Sequence, residues 1–110
     1  QREGQSEEID KLLLYLSKHF PEKISIDTML NITHMSRFHF IRAFKKQIGI
    51  TPYEYLLNLR ITNAKRLLQE TTESISNVGL QVGFDNPTNF IRKFKSLVGE
   101  TPRQYRQGYR

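Results

Sequence analysis

The chain contains no cysteine among its 110 residues. It therefore has no disulfide framework, no thiol nucleophile and no zinc site built on thiolates. The longest apolar run is Leu12-Leu13-Leu14-Tyr15-Leu16, far shorter than the about 20 residues that a membrane helix needs. The first residues also lack the features of a signal peptide. The composition predicts one small domain, or two subdomains sharing a core, in the cytoplasm.

Groupings of residues that carry catalysis or bind metals are absent as well. The three histidines, His19, His34 and His39, have neither cysteine nor acidic partners at ligand spacing. Asp27 and Glu54 are isolated acids, and there is no glycine-rich phosphate loop. The sequence therefore predicts a protein that is not an enzyme and that uses no cofactor and no metal.

Acidic residues are missing from two long stretches of a chain that is basic overall, with 17 Lys and Arg against 11 Asp and Glu. Neither residues 28–51 nor residues 86–99 contain Asp or Glu, whereas both contain several Lys or Arg. Positive charge concentrated in this way is typical of a phosphate-binding surface. The alternative is that both stretches are ordinary solvated helix faces.

The two acid-free stretches contain one sequence pattern twice, 50 positions apart. Phe-Ile-Arg-x-Phe-Lys begins at Phe40 and again at Phe90, and each copy continues into Gly-x-Thr-Pro-x-x-Tyr. Nine of the sixteen positions from Phe40 to Tyr55 are identical in the second copy. Such repetition predicts two copies of one structural unit. The second copy has one extra residue, identified as Asp85, before its long helix, so the two units should present these helices differently.

Helix start and stop signals divide the chain into about seven helices, with no strand pattern. In each copy a short helix, a tight turn and a longer capped helix form a helix-turn-helix. The predicted fold is all-α, with two helix-turn-helix subdomains joined by a long linker helix. The predicted limits are 1–5 for a linker or a remnant of cloning, 6–50 for the first subdomain, 51–70 for the linker helix and 71–110 for the second subdomain.

Helical periodicity also predicts which side chains are buried. Phe40 and Phe44 share the inner face of the third helix with Gln47, and Phe90 and Phe94 share that of the sixth with Leu97. On the long fourth helix the predicted buried residues are Leu56, Leu57, Leu59, Ala64, Leu67 and Leu68.

The opposite faces of the third and sixth helices carry the candidate functional residues. Arg42 and Arg92 occupy equivalent outward positions, and an arginine in the DNA major groove can bind O6 and N7 of guanine, worth about 1–3 kcal/mol of discrimination. Exposed apolar side chains beside them would contact thymine methyl groups; their alternative is burial under a neighbouring helix. The predicted base-reading residues are Phe38, Ile41, Arg42, Thr88, Ile91 and Arg92.

A second group of residues is predicted to contact the DNA backbone, which adds affinity without sequence information. Two of them, Ser36 and Asn86, stand at helix N-termini, where backbone N–H groups bind phosphate. Simple capping is the alternative role for both, and an ordinary surface position is the alternative for His39. The predicted backbone contacts are Ser36, Arg37, His39, Lys45, Lys46, Asn86, Asn89, Lys93 and Lys95.

From about Ile9 to Tyr105 the chain resembles the DNA-binding domain of the AraC/XylS family of bacterial transcription regulators. The second unit carries the resemblance in Ser74-Ile75, Val78, Val82-Gly83-Phe84, Phe90, Arg92, Phe94-Lys95, Gly99, Thr101-Pro102 and Tyr105. The first unit adds Met35-Ser36, Phe40, Arg42, Phe44-Lys45, Gly49 and Tyr55, then Leu59-Arg60 and Ala64. Two residues depart from the family pattern, because Leu30 replaces a small alanine and His34 replaces the turn glycine.

The resemblance implies two recognition helices that enter successive major-groove segments of one duplex. A linker helix of about 18 residues spans roughly 27 Å, close to the ~34 Å between equivalent groove faces. The implied function is sequence-specific double-stranded DNA binding for transcription regulation.

The chain opens at Gln rather than Met, which suggests a fragment of a longer regulator. The resemblance implies that this regulator is an activator that also contacts RNA polymerase. Any effector would bind a domain outside this chain, and no membrane is involved. The alternative functions are a non-specific nucleic-acid binder and a helical protein-interaction module.

Overall fold

A computed structural model describes residues 6–109. Over these residues the chain forms seven helices: α1 (Glu7–His19), α2 (Ile26–Thr33), α3 (Arg37–Ile48), α4 (Pro52–Glu70), α5 (Ile75–Gln81), α6 (Pro87–Val98) and α7 (Pro102–Gly108). The described part contains no strand, so the predicted all-α fold is confirmed. The linker predicted at residues 1–5 lies outside the described residues.

A side-chain cap precedes each helix. In every case a hydroxyl or amide oxygen accepts a hydrogen bond from the backbone N–H three residues further on, as a helix N-cap does. This bond satisfies one of the N–H groups that the first turn leaves without a partner. The seven caps are Ser6, Ser25, Ser36, Thr51, Ser74, Asn86 and Thr101. At the other end, Gly49 and Gly99 stop α3 and α6 with φ of 95°.

The chain divides within α4 into two compact units, one ending at Asn58 and the other beginning at Leu59. The first unit holds α1, α2, α3 and the start of α4. The second holds the rest of α4 with α5, α6 and α7. The subdomain limits read from the sequence, which set α4 apart as a linker, stay a prediction.

The repeat extends one helix further than the sequence pattern indicated. Both α1 and the second part of α4 bury side chains at successive spacings of three and four residues, the stripe of a helix packed on a core. These residues are Ile9, Leu12 and Leu16 in α1, and Ile61, Ala64 and Leu68 in α4. Each unit therefore supplies such a helix ahead of its helix-turn-helix.

The predicted core of α4 is correct in part. Leu56, Ala64 and Leu68 are buried, whereas Leu57, Leu59 and Leu67 are only half-buried. Ile61, which was not predicted, is buried at 4% exposure. A single stripe cannot describe this helix, because its two ends belong to different units.

An aromatic cluster forms the centre of each unit. In the first unit the Phe44 ring packs edge-on against Phe40 and against Tyr55, with ring centroids 5.7 Å apart in both pairs. In the second unit Phe94 packs in the same way against Phe90 at 5.8 Å and against Tyr105 at 5.6 Å. The inward orientation predicted for the four repeated phenylalanines is confirmed, since all are fully buried.

The prediction that Leu97 is buried is wrong, because its side chain is 49% exposed. Its counterpart in the first unit, Gln47, is half-buried and bonds to the start of α1. The Gln47 Oε1 accepts from the N–H of Ser6 at 2.7 Å, and its Nε2 donates to Asp10 Oδ1 at 2.9 Å. Both positions lie at the rim of the buried face, where contact with a neighbouring helix decides burial and periodicity does not.

Candidate nucleic-acid interface

The first helix-turn-helix consists of α2, a short turn and α3. Helix α2 ends at His34, whose φ of 57° and ψ of 31° are left-handed, and whose N–H donates to the Leu30 carbonyl at 2.8 Å. The chain then reaches Ser36, which starts α3. Non-glycine residues seldom adopt this conformation, so the turn is strained at His34. His34 therefore stands where glycine would be the unstrained residue.

The outward face of α3 carries the predicted reading residues of the first unit. Phe38 is 71% exposed, Ile41 is 39% exposed, and Arg42 is also exposed. The Arg42 guanidinium carbon lies 5.4 Å from the centroid of the Phe38 ring, which is a cation–π contact. The structure therefore brings these three side chains together on one surface.

An open groove of about 800 Å³ runs beside this surface within the first unit. Its lining combines apolar, polar and basic side chains: Ser6, Met35, His39, Ile41, Arg42, Ala43, Lys45, Lys46 and Gln47. Five of the nine residues are contacts predicted from the sequence, namely His39, Ile41, Arg42, Lys45 and Lys46. The groove is therefore part of the same candidate interface and not a separate site.

The second helix-turn-helix consists of α5, its turn and α6. Helix α5 ends before a turn at Gly83, whose φ is 108°, and the N–H of Phe84 donates to the Gly79 carbonyl at 2.9 Å. Gly79 lies directly against Phe90, because a Cβ added to it would come within 2.7 Å of the Phe90 ring. Helices α5 and α6 therefore approach each other where only glycine fits.

The outward face of α6 carries the predicted reading residues of the second unit. Thr88 and Arg92 are exposed, and Ile91 is 38% exposed. The Arg92 Nη2 donates a hydrogen bond to Asn89 Oδ1 at 2.8 Å. The N–H of Asn89 in turn donates to Asn86 Oδ1 at 2.8 Å, which is the N-cap bond of α6.

The predicted backbone contacts have varied surroundings. Ser36 and Asn86 serve as N-caps, so one of their two proposed roles is observed. Arg37 forms an exposed ion pair with Asp27 at 3.3 Å, which solvent and salt weaken. Lys93 is half-buried. Asn89 is half-buried as well. The remaining side chains are exposed: His39, Lys45, Lys46 and Lys95.

Sequence reasoning missed the two contacts that hold the arginines, Phe38 with Arg42 and Asn89 with Arg92. A signal for the second existed, since residues three apart lie on the same helix face and Asn accepts from Arg. No repeat comparison could reveal it, because the residue equivalent to Asn89 in the first unit is His39.

The part of the chain that the structure describes has no helix long and apolar enough to cross a membrane. Among the same residues no three His, Asp or Glu side chains are grouped so that they could hold a metal ion.

Two helix-turn-helix motifs with basic outward helices define a helix-turn-helix nucleic-acid-binding domain. Residues 29–108 match a sequence family described as a helix-turn-helix domain. The chain is 38% identical over 102 residues to the bifunctional transcriptional activator/DNA repair enzyme AdaA of Bacillus subtilis, covering 93% of this chain and 48% of that protein. It is 34% identical over 109 residues to the MmsAB operon regulatory protein of Pseudomonas aeruginosa, covering 99% of this chain and 35% of that protein.

Solved structures agree with these relatives. The DNA-binding domain of the global transcriptional factor AdpA, crystallised with a target DNA, has a TM-score of 0.91 and 28% identity, covering 96% of this chain and 95% of that one. An AraC-type regulator from Chromobacterium violaceum has a TM-score of 0.85 and 29% identity, covering 93% of this chain and 91% of that one. The chain belongs to the AraC/XylS family and is an AraC-type domain that binds DNA for transcription regulation.

The chain spans about half or less of the length of the curated relatives it matches, 48% of AdaA and 35% of the MmsAB regulator. The family is that of a DNA-binding regulatory domain, which points away from an enzyme.

Proposed function

We propose that this domain recognises a specific double-stranded DNA sequence through two helices, α3 and α6, placed in successive segments of the major groove. One observation carries the proposal: Arg42 and Arg92 are exposed at equivalent positions of the repeat, each on a helix without acidic residues. A helix fits the major groove, and arginine is the side chain that most often reads guanine there. The likeness to a domain solved with its target DNA supports the same conclusion.

The reading surface of each unit is mixed in character. Arg42 and Arg92 bind guanine edges, while Phe38, Ile41 and Ile91 contact thymine methyl groups. The exposure of these three apolar side chains, 71%, 39% and 38%, supports that role, because contact with bases removes apolar surface from water. Thr88 completes the base-reading set on α6.

The remaining predicted residues contact phosphate and set the affinity. Each Lys or Arg that neutralises a phosphate releases a counterion, so binding by such residues weakens with added salt. The exposed side chains Lys45, Lys46 and Lys95 are the main candidates. The proposed set is completed by Ser36, Arg37, His39, Asn86, Asn89 and Lys93.

We propose that this domain is part of a longer protein, a transcriptional activator that acts in the cytoplasm and contacts RNA polymerase. AdaA is named an activator, and the MmsAB protein is named an operon regulator, which supports this role. An effector, where one exists, binds outside this chain. The domain itself has no enzymatic activity, and its proposed subdomains are 6–50 and 71–110, joined by the linker helix 51–70.

The test begins with selection of bound DNA from a random library. Arg42→Ala should lower discrimination at one base pair by about 1–3 kcal/mol, because a bidentate contact is lost. Lys45→Ala is the matched control from the same helix. It should weaken binding to all sequences alike and lower the number of counterions released on binding by about one.

Three results would contradict the proposal in different ways. If Arg42→Ala and Lys45→Ala each lower the affinity equally for every sequence, Arg42 does not read a base. Equal affinity of the unmodified domain for all sequences would indicate a non-specific binder. DNA binding that ignores salt, or that is absent, would favour a protein-interaction module with Phe38, Ile41 and Ile91 as its contacts.

A further inference from the structure

The two equivalent arginines are held by different neighbours. Arg92 donates to Asn89 Oδ1 at 2.8 Å, whereas Arg42 lies over the Phe38 ring at 5.4 Å. The position equivalent to Asn89 in the first unit is His39, and the position equivalent to Phe38 in the second unit is Thr88. Neither unit therefore has the side chain that holds the arginine of the other. The second recognition helix therefore has its own means of orienting its arginine.

The chemistry of the Asn89–Arg92 bond restricts what Asn89 can do. A guanidinium has donors only, so the bond must use the amide oxygen of Asn89. An asparagine that reads adenine needs both ends of its amide, with Oδ1 accepting from N6 and Nδ2 donating to N7. The bond to Arg92 takes one of the two lone pairs of Oδ1, so the main group that the pair presents to a base edge is the guanidinium, which has donors only.

The position of Asn89 restricts where its side-chain oxygen can lie. Its backbone N–H is held by the Asn86 cap at 2.8 Å, in the first turn of a helix that begins at Pro87. Its side chain is half-buried. Arg92 follows three residues later on the same face. A bond to this point reduces the rotamer freedom that Arg92 loses on binding.

We infer that Asn89 is a positioning residue for Arg92, and that the pair acts as one unit whose guanidinium donors select guanine over adenine at the base pair they face. The inference rests on the proposed function and deepens it, since it assigns Asn89 a part in specificity and not only a contact to the DNA backbone. Guanine presents two acceptors, O6 and N7, to such a unit. Adenine presents one acceptor, N7, beside one donor, N6.

The experiment uses the full chain and its selected DNA, with single-base variants at the pair that Arg92→Ala identifies. Asn89→Ala should lower the preference for guanine at that pair by about three- to tenfold, a part of what a full bidentate contact provides. Asn89→Asp, which keeps the oxygen acceptor, should restore the preference while weakening binding to all sequences through repulsion from phosphate. In the Arg92→Ala background, Asn89→Ala should have no further effect at that pair.

A purely structural role for Asn89 would behave differently. The cap bond of Asn86 goes to the backbone N–H of residue 89, which alanine also has, so the thermal unfolding of Asn89→Ala should match that of the unmodified chain. An unchanged guanine preference in Asn89→Ala, or an equal loss on all sequences, overturns the inference and leaves the proposed function intact. No change of preference in Arg92→Ala overturns the base-reading role of Arg92 and the inference with it.

Discussion

The two helix-turn-helix units share a sequence pattern but build their turns differently. The first unit turns at His34 with φ of 57° and places Leu30 on the preceding helix. The second turns at Gly83 with φ of 108° and has Gly79 where the first has Leu30. At Gly79 the neighbouring helix leaves no room for a side chain. A repeated recognition helix therefore does not require a repeated turn.

The comparison extends to the caps that follow the recognition helices. Thr51 and Thr101 occupy equivalent positions, and each exchanges two hydrogen bonds with the residue three further on. That residue is Glu54 in the first unit and Gln104 in the second. The geometry is the same, but only the first cap carries a titratable group. Substitutions can show which differences affect stability.

The largest expected effect tests the buried aromatic cluster that both units share. Phe44→Ala and Phe94→Ala should each lower the free energy of unfolding by about 3–5 kcal/mol, because each removes a fully buried ring from an aromatic cluster. Urea denaturation followed by circular dichroism measures the loss. Phe38→Ala is the control, since that ring is 71% exposed and should change stability by no more than about 0.5 kcal/mol. Equal costs for all three would contradict the assigned cores.

The next effect tests the close approach of α5 and α6 at Gly79 in the second unit. Gly79→Ala would bring a Cβ to 2.7 Å from the Phe90 ring and 2.9 Å from its Cβ, so the helices must shift. Overpacking costs about 1–3 kcal/mol, and the better helix propensity of alanine returns up to about 1 kcal/mol. We expect a net loss of about 1–2 kcal/mol in thermal unfolding.

Gly108→Ala is the matched control, because no heavy atom lies within 4 Å of a Cβ built there. It should leave stability unchanged or raise it slightly. A Gly79→Ala chain as stable as the Gly108→Ala chain would show that α5 and α6 adjust without cost.

The fold was largely predictable from the sequence because its signals are local. Ser, Thr and Asn caps and the glycines Gly49 and Gly99 mark most helix ends within a residue or two. Burial at Leu97 was not predictable, since it depends on whether another helix covers the rim of α6. The bond between Asn89 and Arg92 depends on side-chain rotamers, which periodicity does not specify. The reading roles of the exposed residues stay predictions until DNA binding is measured.

A smaller effect tests the strain in the first turn. His34→Gly should raise the free energy of unfolding by about 0.5–1 kcal/mol, because glycine removes the cost of a left-handed side-chain residue but loses more entropy on folding. His34→Ala keeps the strain and is the control, with no gain expected. Thermal unfolding distinguishes them. Equal stability of the two variants would show that the conformation at His34 costs nothing.

The smallest effect concerns the two caps, which should differ in their response to pH. The pKa of the Glu54 carboxyl lies below its ordinary value of 4.5, chiefly because the Thr51 N–H donates to it, and secondly because the Thr51 side chain does. Stability from this bond is therefore fully present above about pH 4.5. It is lost as the pH falls through the lower pKa of the folded state. Gln104 gains no proton in this range, so the second cap should be unaffected.

The amide proton shifts of Thr51 and Thr101, followed by NMR from pH 7 to pH 3, report on the two caps separately. The Thr51 signal should titrate with a midpoint below 4.5, and the Thr101 signal should not. Exchanging the residues by Glu54→Gln and Gln104→Glu should exchange the two responses, because the cap geometry is the same and only the carboxylate differs. A Thr101 signal that titrates in the unmodified chain would instead indicate a pH-dependent change outside the caps.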